Sequence, residues 1–154
     1  MMDPSSLVAL SREDGEANDA FGFHRVIKVS AAQSGGRLTV FEEDVPSGGG
    51  PPLHIHYGQV ELFYLISGTV RFRCGEEERE LGAGSTVMVP PDTPHAFKNI
   101  GDGTARVLVA VTPGGLDEFM RKVAAEGLRP PADMARIAEI AKPYGLDFVG
   151  PPLS

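Results

Sequence analysis

Four side chains in this 154-residue chain have the types and spacing to hold a metal ion: His54, His56, Glu61 and His95. Residues two apart on a β-strand share a face, so His54 and His56 present both imidazoles to one side. Glu61 follows a short Tyr57–Gly58 turn, on a strand that can bring its carboxylate back beside them. His95 lies on a later strand, entered through the turn Pro90-Pro91-Asp92-Thr93-Pro94. Three neutral imidazole nitrogens and one carboxylate make a compact set for one divalent transition metal (Ni, Mn, Fe, Co, Cu or Zn). One or two coordination positions stay open for water or substrate. A His-x-His pair alone is usually plain surface. Here Glu61 sits amid Val60, Leu62, Phe63 and Tyr64, where an unpaired charge is costly, and this favours a partner such as a metal. His24, the remaining histidine, is expected to be structural or exposed. Cys74, the single cysteine, reads as a small buried apolar residue, and its solitude excludes an intrachain disulfide and a thiolate zinc site.

The elements that must position these residues are short strands. From Phe23 to about Leu108 the chain runs through Phe23–Ser30, Arg37–Val45, Leu53–Tyr57, Val60–Ser67, Thr69–Cys74, Ser85–Val89, Pro94–Asn99 and Ala105–Thr112. Several alternate, with Val70, Phe72 and Cys74 inward against Thr69, Arg71 and Arg73. Breaks such as Ser34–Gly36, Ser47–Pro52 and Gly101–Gly103 carry Gly, Pro or Asp, as tight turns require. Nineteen Gly and thirteen Pro leave little room for long helices. The pattern predicts an all-β sandwich, jelly roll or barrel over 21–112, preceded by a loose polar arm at 1–20. The acidic run Glu76, Glu77, Glu78, broken by Arg79, reads as a solvated turn. In 113–154 two stripes take helical spacing, Leu116, Phe119, Met120, Val123 and then Met134, Ile137, Ala138, Ala141, separated by Pro130 and Pro131. They are expected to pack on the barrel exterior, or else to line a partner interface or lid the mouth. A length of 154 residues predicts one domain.

Two stretches of the chain resemble the paired motifs of the cupin superfamily. The first matches at Gly48, His54, His56, Glu61 and Gly68, the second at Gly84, Pro90, His95 and Asn99. Asp92 stands where the family usually has Gly at a turn of positive φ, a geometry that Asp tolerates better than most residues. The resemblance implies a cupin double-stranded β-helix (jelly-roll barrel) carrying two short C-terminal helices. Gly48, Gly68 and Gly84 serve turns, and Asn99 is expected to tie a turn or strand end.

Strand parity places Phe63 and Leu65 with Glu61, Phe97 with His95, and Phe72, together with Met88 or its neighbours Val87 and Val89, as further wall of an apolar substrate pocket. No inward position identified this way is basic, which argues against a sugar phosphate. The C-terminal extension, from Pro113-Gly114-Gly115 to Phe148-Val149-Gly150-Pro151-Pro152, is similar to that of small bacterial cupins of the quercetin 2,3-dioxygenase type. That likeness implies a dioxygenase acting with O2 on a flavonol-like or other enolisable small molecule, with Glu61 both holding metal and accepting a substrate proton. A non-catalytic metal- or small-molecule-binding cupin, and a non-redox cupin isomerase, epimerase or cyclase, are the alternatives. A net charge of −7 without a basic cluster excludes a nucleic-acid surface. No apolar run approaches a membrane span and no signal peptide is apparent, so a cytoplasmic location is expected. Apolar outward residues Leu62, Tyr64 and Ile66, with family habit, predict a homodimer.

Overall fold

Alternating burial along the chain builds two facing sheets in the computed structural model, which describes residues 3–154. The strands are β1 (Glu16–Asn18), β2 (His24–Val29), β3 (Thr39–Val45), β4 (Pro52–His56), β5 (Val60–Ser67), β6 (Val70–Cys74), β7 (Glu77–Leu81), β8 (Thr86–Val89), β9 (His95–Asn99), β10 (Ala105–Thr112) and β11 (Leu146–Pro152). Two helices, α1 (Leu116–Ala125) and α2 (Met134–Ala141), precede the last strand. One sheet runs β1-β2-β3-β10-β5-β8 and the other β11-β4-β9-β6-β7, every pairing antiparallel, which is the expected all-β jelly roll. No helix among the described residues is long and apolar enough to cross a membrane.

The inward faces follow the period of two. Thr39, Phe41, Glu43 and Val45 are buried on β3, and Ala105, Val107, Val109 and Val111 on β10. Glu61, Phe63 and Leu65 are buried on β5, while Leu62 and Tyr64 face outward. Phe63 meets Phe72 and Phe97 of the opposite sheet, with ring centroids 5.0 and 5.8 Å apart in edge-on contact. This aromatic trio joins the sheets beneath the histidines, and such pairs add to the burial of their area. Asn99 ties the strand ends as expected: Nδ2 donates to the carbonyls of Val45 and Gly103 (2.9 and 2.7 Å), and Oδ1 accepts from Gly101 N–H (2.9 Å).

Three elements differ from the sequence reading, and a fourth takes one of the placements it left open. The arm at 1–20 lies outside the described residues at its first two positions, but it is not loose near its end. There β1 pairs with β2, and Lys28 Nζ donates to the carbonyls of Arg12 and Asp14 (2.7 and 2.5 Å). The acidic run enters β7, whose side chains are mostly exposed; an edge strand with two wet faces shows no alternation to read. The C-terminal segment returns as β11 beside β4, through Gly145 at φ 71°, because Pro151 and Pro152 are tolerated on an edge strand. Finally, α1 does more than coat the barrel. Leu116, Phe119 and Met120 reach the cavity that holds the histidines, so this helix lids the mouth. Its start is pinned by Asp117, fully buried, which accepts from Ala31 N–H (3.1 Å), Thr39 Oγ1 (2.5 Å) and Arg121 Nη1 (2.7 Å).

Candidate metal centre

His54 and His56 project from β4 to one side, and His54 pairs directly with His95 on β9. Glu61 reaches them from β5 in the opposing sheet, so the cluster bridges the two sheets. One ligand atom from each of the four residues lies within 4.8 Å of every other. Glu61 Oε2 is 2.6 Å from His56 Nε2, and Oε1 is 3.8 Å from His95 Nε2. All four side chains are buried, His95 most completely at 1% exposure.

Local bonds fix how the imidazoles point. His54 Nδ1 lies 2.8 Å from Pro52 O, His56 Nδ1 3.0 Å from Gln59 Oε1, and His95 Nδ1 2.9 Å from Thr93 O. Each partner is an acceptor, so each Nδ1 carries a proton and donates it. Gln59 offers its oxygen because its amide N–H donates to Tyr144 O at 3.0 Å. In the neutral imidazoles the Nε2 lone pairs therefore aim into the cluster, the arrangement that orients metal-binding histidines. Asp92 takes φ 64°, and its Oδ1 accepts from Gly58 N–H (2.9 Å) while its own N–H donates to His56 O (3.1 Å). The turn before β9 is thereby tied to the turn after β4.

The electrostatics leave a gap for a positive charge. Burial, with the neighbouring His95 and His56, lowers the His54 pKa to about 3, so that ring is neutral. Burial also opposes charge on His56, but Glu61 outweighs it and raises the His56 pKa. Glu61 is held well below the usual carboxylate range; burial works against this, and His56 and His95 overcome it. Even so, Glu61 Oε2 and His95 Nε2 make no hydrogen bond of acceptable geometry despite their burial, and orphaned polar atoms of this kind are costly. A divalent cation would satisfy both, and the donor set of three nitrogens and one oxygen fits such an ion.

Above the cluster lies a cavity of about 70 Å³, mostly apolar, that adjoins a wider groove of about 800 Å³ bordered by Pro51, Pro131 and Met134. His54, His56, Glu61, Phe63 and Phe97 line the cavity, with His95 behind them. Leu65 and Phe72 have the inward parity expected but lie in the core beneath, away from the cavity wall. Met88 does not: it is 59% exposed on the outer face, opposite Leu62, and Val89 turns inward. A four-residue strand gives two residues per face, too few to fix its parity. Cys74 is half-buried, and His24 is exposed beside Asp19 (2.9 Å).

Several wall residues lie outside the sequence reading. Phe148 of β11 sits beside His54, ring centroids 6.2 Å apart, and Phe21 and Phe23 border both cavity and groove. The inward positions are also not free of basic residues, because Arg25 of β2 lines the cavity together with Glu43 of β3. Burial raises the Glu43 pKa although Arg25 lies against it. Arg25 shares parity with Ile27, and Glu43 with Phe41 and Val45, so both were readable as polar residues on apolar faces.

Residues 41–111 match the family model described as Cupin domain. An uncharacterized protein of Methanocaldococcus jannaschii is 33% identical over 79 residues, 51% of this chain and 63% of that protein. Quercetin 2,3-dioxygenase of Bacillus subtilis is 28% identical over 120 residues, 77% of this chain but 35% of that enzyme. The chain thus spans less than two thirds of either relative. Among solved structures, a predicted oxalate decarboxylase from Thermotoga maritima superposes with TM-score 0.61 at 18% identity, covering 70% of this chain and 99% of that one, which is a likeness of fold.

Proposed function

This chain is a cupin, with its Cupin domain at residues 41–111, and on that premise we propose a metal-dependent dioxygenase acting on an enolisable, flavonol-like small molecule. The observation that carries the reading is the buried convergence of His54, His56, Glu61 and His95 at the floor of an apolar cavity, with two inward ligand atoms lacking partners. The likeness to a quercetin 2,3-dioxygenase supports the choice of reaction.

A bound divalent ion supplies Lewis acidity for a hydroxy-ketone oxygen and, if redox-active, an electron path to O2. The chain's own groups do the rest. Glu61, whose two carboxylate oxygens lie at the cluster, is placed to take the substrate hydroxyl proton on the oxygen not engaged with the ion. Phe63, Phe97 and the lid residues Leu116 and Phe119 exclude water from the reacting end, while the substrate body extends into the groove. Oxygen consumption by the metal-loaded protein, measured against a panel of flavonols and β-diketones, tests this. Uptake with at least one of them is expected, and Glu61→Gln should reduce it by about 100-fold or more. Binding or rearrangement of these compounds without oxygen uptake would instead favour a non-redox cupin and end the dioxygenase reading.

We also propose that two copies pair through the outer face of the first sheet. Leu62, Tyr64 and Met88 are 45%, 43% and 59% exposed there, and Leu62 and Met88 are direct cross-strand neighbours. Neighbouring apolar side chains on one outer sheet face are what a pairing of two copies would bury. Sedimentation equilibrium should give twice the chain mass of 16.4 kDa, falling to one chain in Leu62→Glu. A wild-type protein that sediments as a single chain at micromolar concentration would refute the pairing.

A further inference from the structure

Arg25 and Glu43 are direct cross-strand partners on β2 and β3, 5% and 6% exposed, and both line the cavity above the metal cluster. Arg25 is held rigidly. Its Nε donates to Glu43 Oε2 at 3.2 Å, its Nη1 donates to Ala20 O, and the Phe21 and Phe23 rings flank the guanidinium at 5.6 and 5.7 Å. Two polar atoms of the pair are left over. Among the described residues, Arg25 Nη2 and Glu43 Oε1 make no hydrogen bond, neither is among the buried atoms shut off from solvent, and both residues line the cavity, where a ligand can reach them. A buried ion pair is a weak source of stability, and a purely structural one would have its polar atoms satisfied within the protein.

We propose that Arg25 and Glu43 form a donor–acceptor fork that binds a neutral hydroxyl of the substrate, and thereby selects enolisable compounds that carry a second hydroxyl group. This rests on the reading of the site as one for hydroxy-ketones. A free N–H and a free carboxylate oxygen side by side match a group that both accepts and donates, which a hydroxyl does. A methyl in the same place leaves both atoms dry and unpaired, and discrimination against such a missing hydroxyl is the strong kind. A carboxylate there meets Glu43 in an apolar cavity, where like charges repel with little screening. Because the pair is neutral in sum, Arg25 is no anion site despite its charge.

Three small hydroxypyranones that share one hydroxy-ketone and differ only at ring carbon 2 separate these cases: allomaltol (methyl), kojic acid (hydroxymethyl) and comenic acid (carboxylate). Calorimetric binding is read on the 154-residue protein loaded with Zn(II). The wild type is expected to bind kojic acid about tenfold or more tighter than allomaltol, with comenic acid weakest. Glu43→Gln keeps the shape but can turn an N–H toward the cavity. It should erase the preference for kojic acid and improve comenic acid relative to the other two. Arg25→Lys keeps the charge without the planar fork and should also erase the kojic acid preference, which covers the case in which Glu43→Gln fails to fold. If all three compounds bind the wild type equally, or keep their order in the folded variant, the fork is overturned while the hydroxy-ketone reading stands. If none binds the Zn(II)-loaded wild type, both fall.

Discussion

His95→Ala is expected to lower metal affinity by about 100-fold or more, so that desalted protein carries little metal, while the barrel stays folded. Changes to groups that merely orient a ligand already cost about 10–100-fold, and His95 is in the cluster itself. The fold should survive because the side chain removed has an inward nitrogen without a partner, and its strand is held by main-chain pairing to β6 along its whole length. Elemental analysis gives the stoichiometry, and far-ultraviolet dichroism checks the fold. Thermal melting supplies a third readout. Metal at 100 times its dissociation constant stabilises the native state by about 2.7 kcal/mol, which for a chain of this size raises Tm by roughly 5–10 °C. The wild type should show that rise and His95→Ala should not. His24→Ala, altering an exposed residue beside Asp19, is the control and should behave as wild type. Unchanged metal stoichiometry and affinity in His95→Ala would remove His95 from the ligand set and overturn the four-residue centre.

His54, His56 and Glu61 are legible in the sequence because they sit at short intervals on neighbouring strands, and His95, far along the chain, because it falls at its place in the second cupin-like motif with Gly84, Pro90 and Asn99. Asp92 at φ 64° and the triply bonded Asn99 are equally legible, since each residue type signals the turn it serves. Depth is not. Alternation says that Leu65 and Phe72 face inward, but nothing in a period of two says how far along the barrel axis each lies from His54. Contact between distant strands is likewise hidden. That Arg25 meets Glu43, and that the chain end returns to lay Phe148 against His54, are consequences of sheet order, which the pattern of single strands does not encode. The lid follows the same rule. The stripe of Leu116, Phe119 and Met120 is plain from spacing, whereas its seat over the mouth depends on Asp117 gripping Ala31 N–H and Thr39 from 86 and 78 residues away.

Gly50→Ala should be the most damaging single-methyl change in the loop that feeds β4. A Cβ at residue 50 would lie 1.9 Å from the carbonyl oxygen of Phe97 and 3.2 Å from Lys98 Cα. The obstacle is backbone in the middle of β9, which cannot swing aside as a side chain could. Nor is the loop free to back away: Gly48 N–H donates to Asn99 O and Asn99 N–H to Gly49 O, both at 2.9 Å. Relief requires breaking those bonds or bending β9, a penalty at the upper end of overpacking, about 3 kcal/mol. For a chain of this length that lowers Tm by roughly 6–12 °C. Gly82→Ala, where no atom lies within 4 Å of the new methyl, is the matched control and should change Tm little. The damage should also reach the metal. Pro51 and Pro52 follow Gly50 directly, and Pro52 O holds His54 Nδ1 at 2.8 Å, so a loop pushed outward releases the ring that faces His95. Metal affinity and Tm are therefore expected to fall together in Gly50→Ala. A variant that melts with the wild type would mean that the loop and β9 separate freely, and that Pro52 does not hold His54 in place.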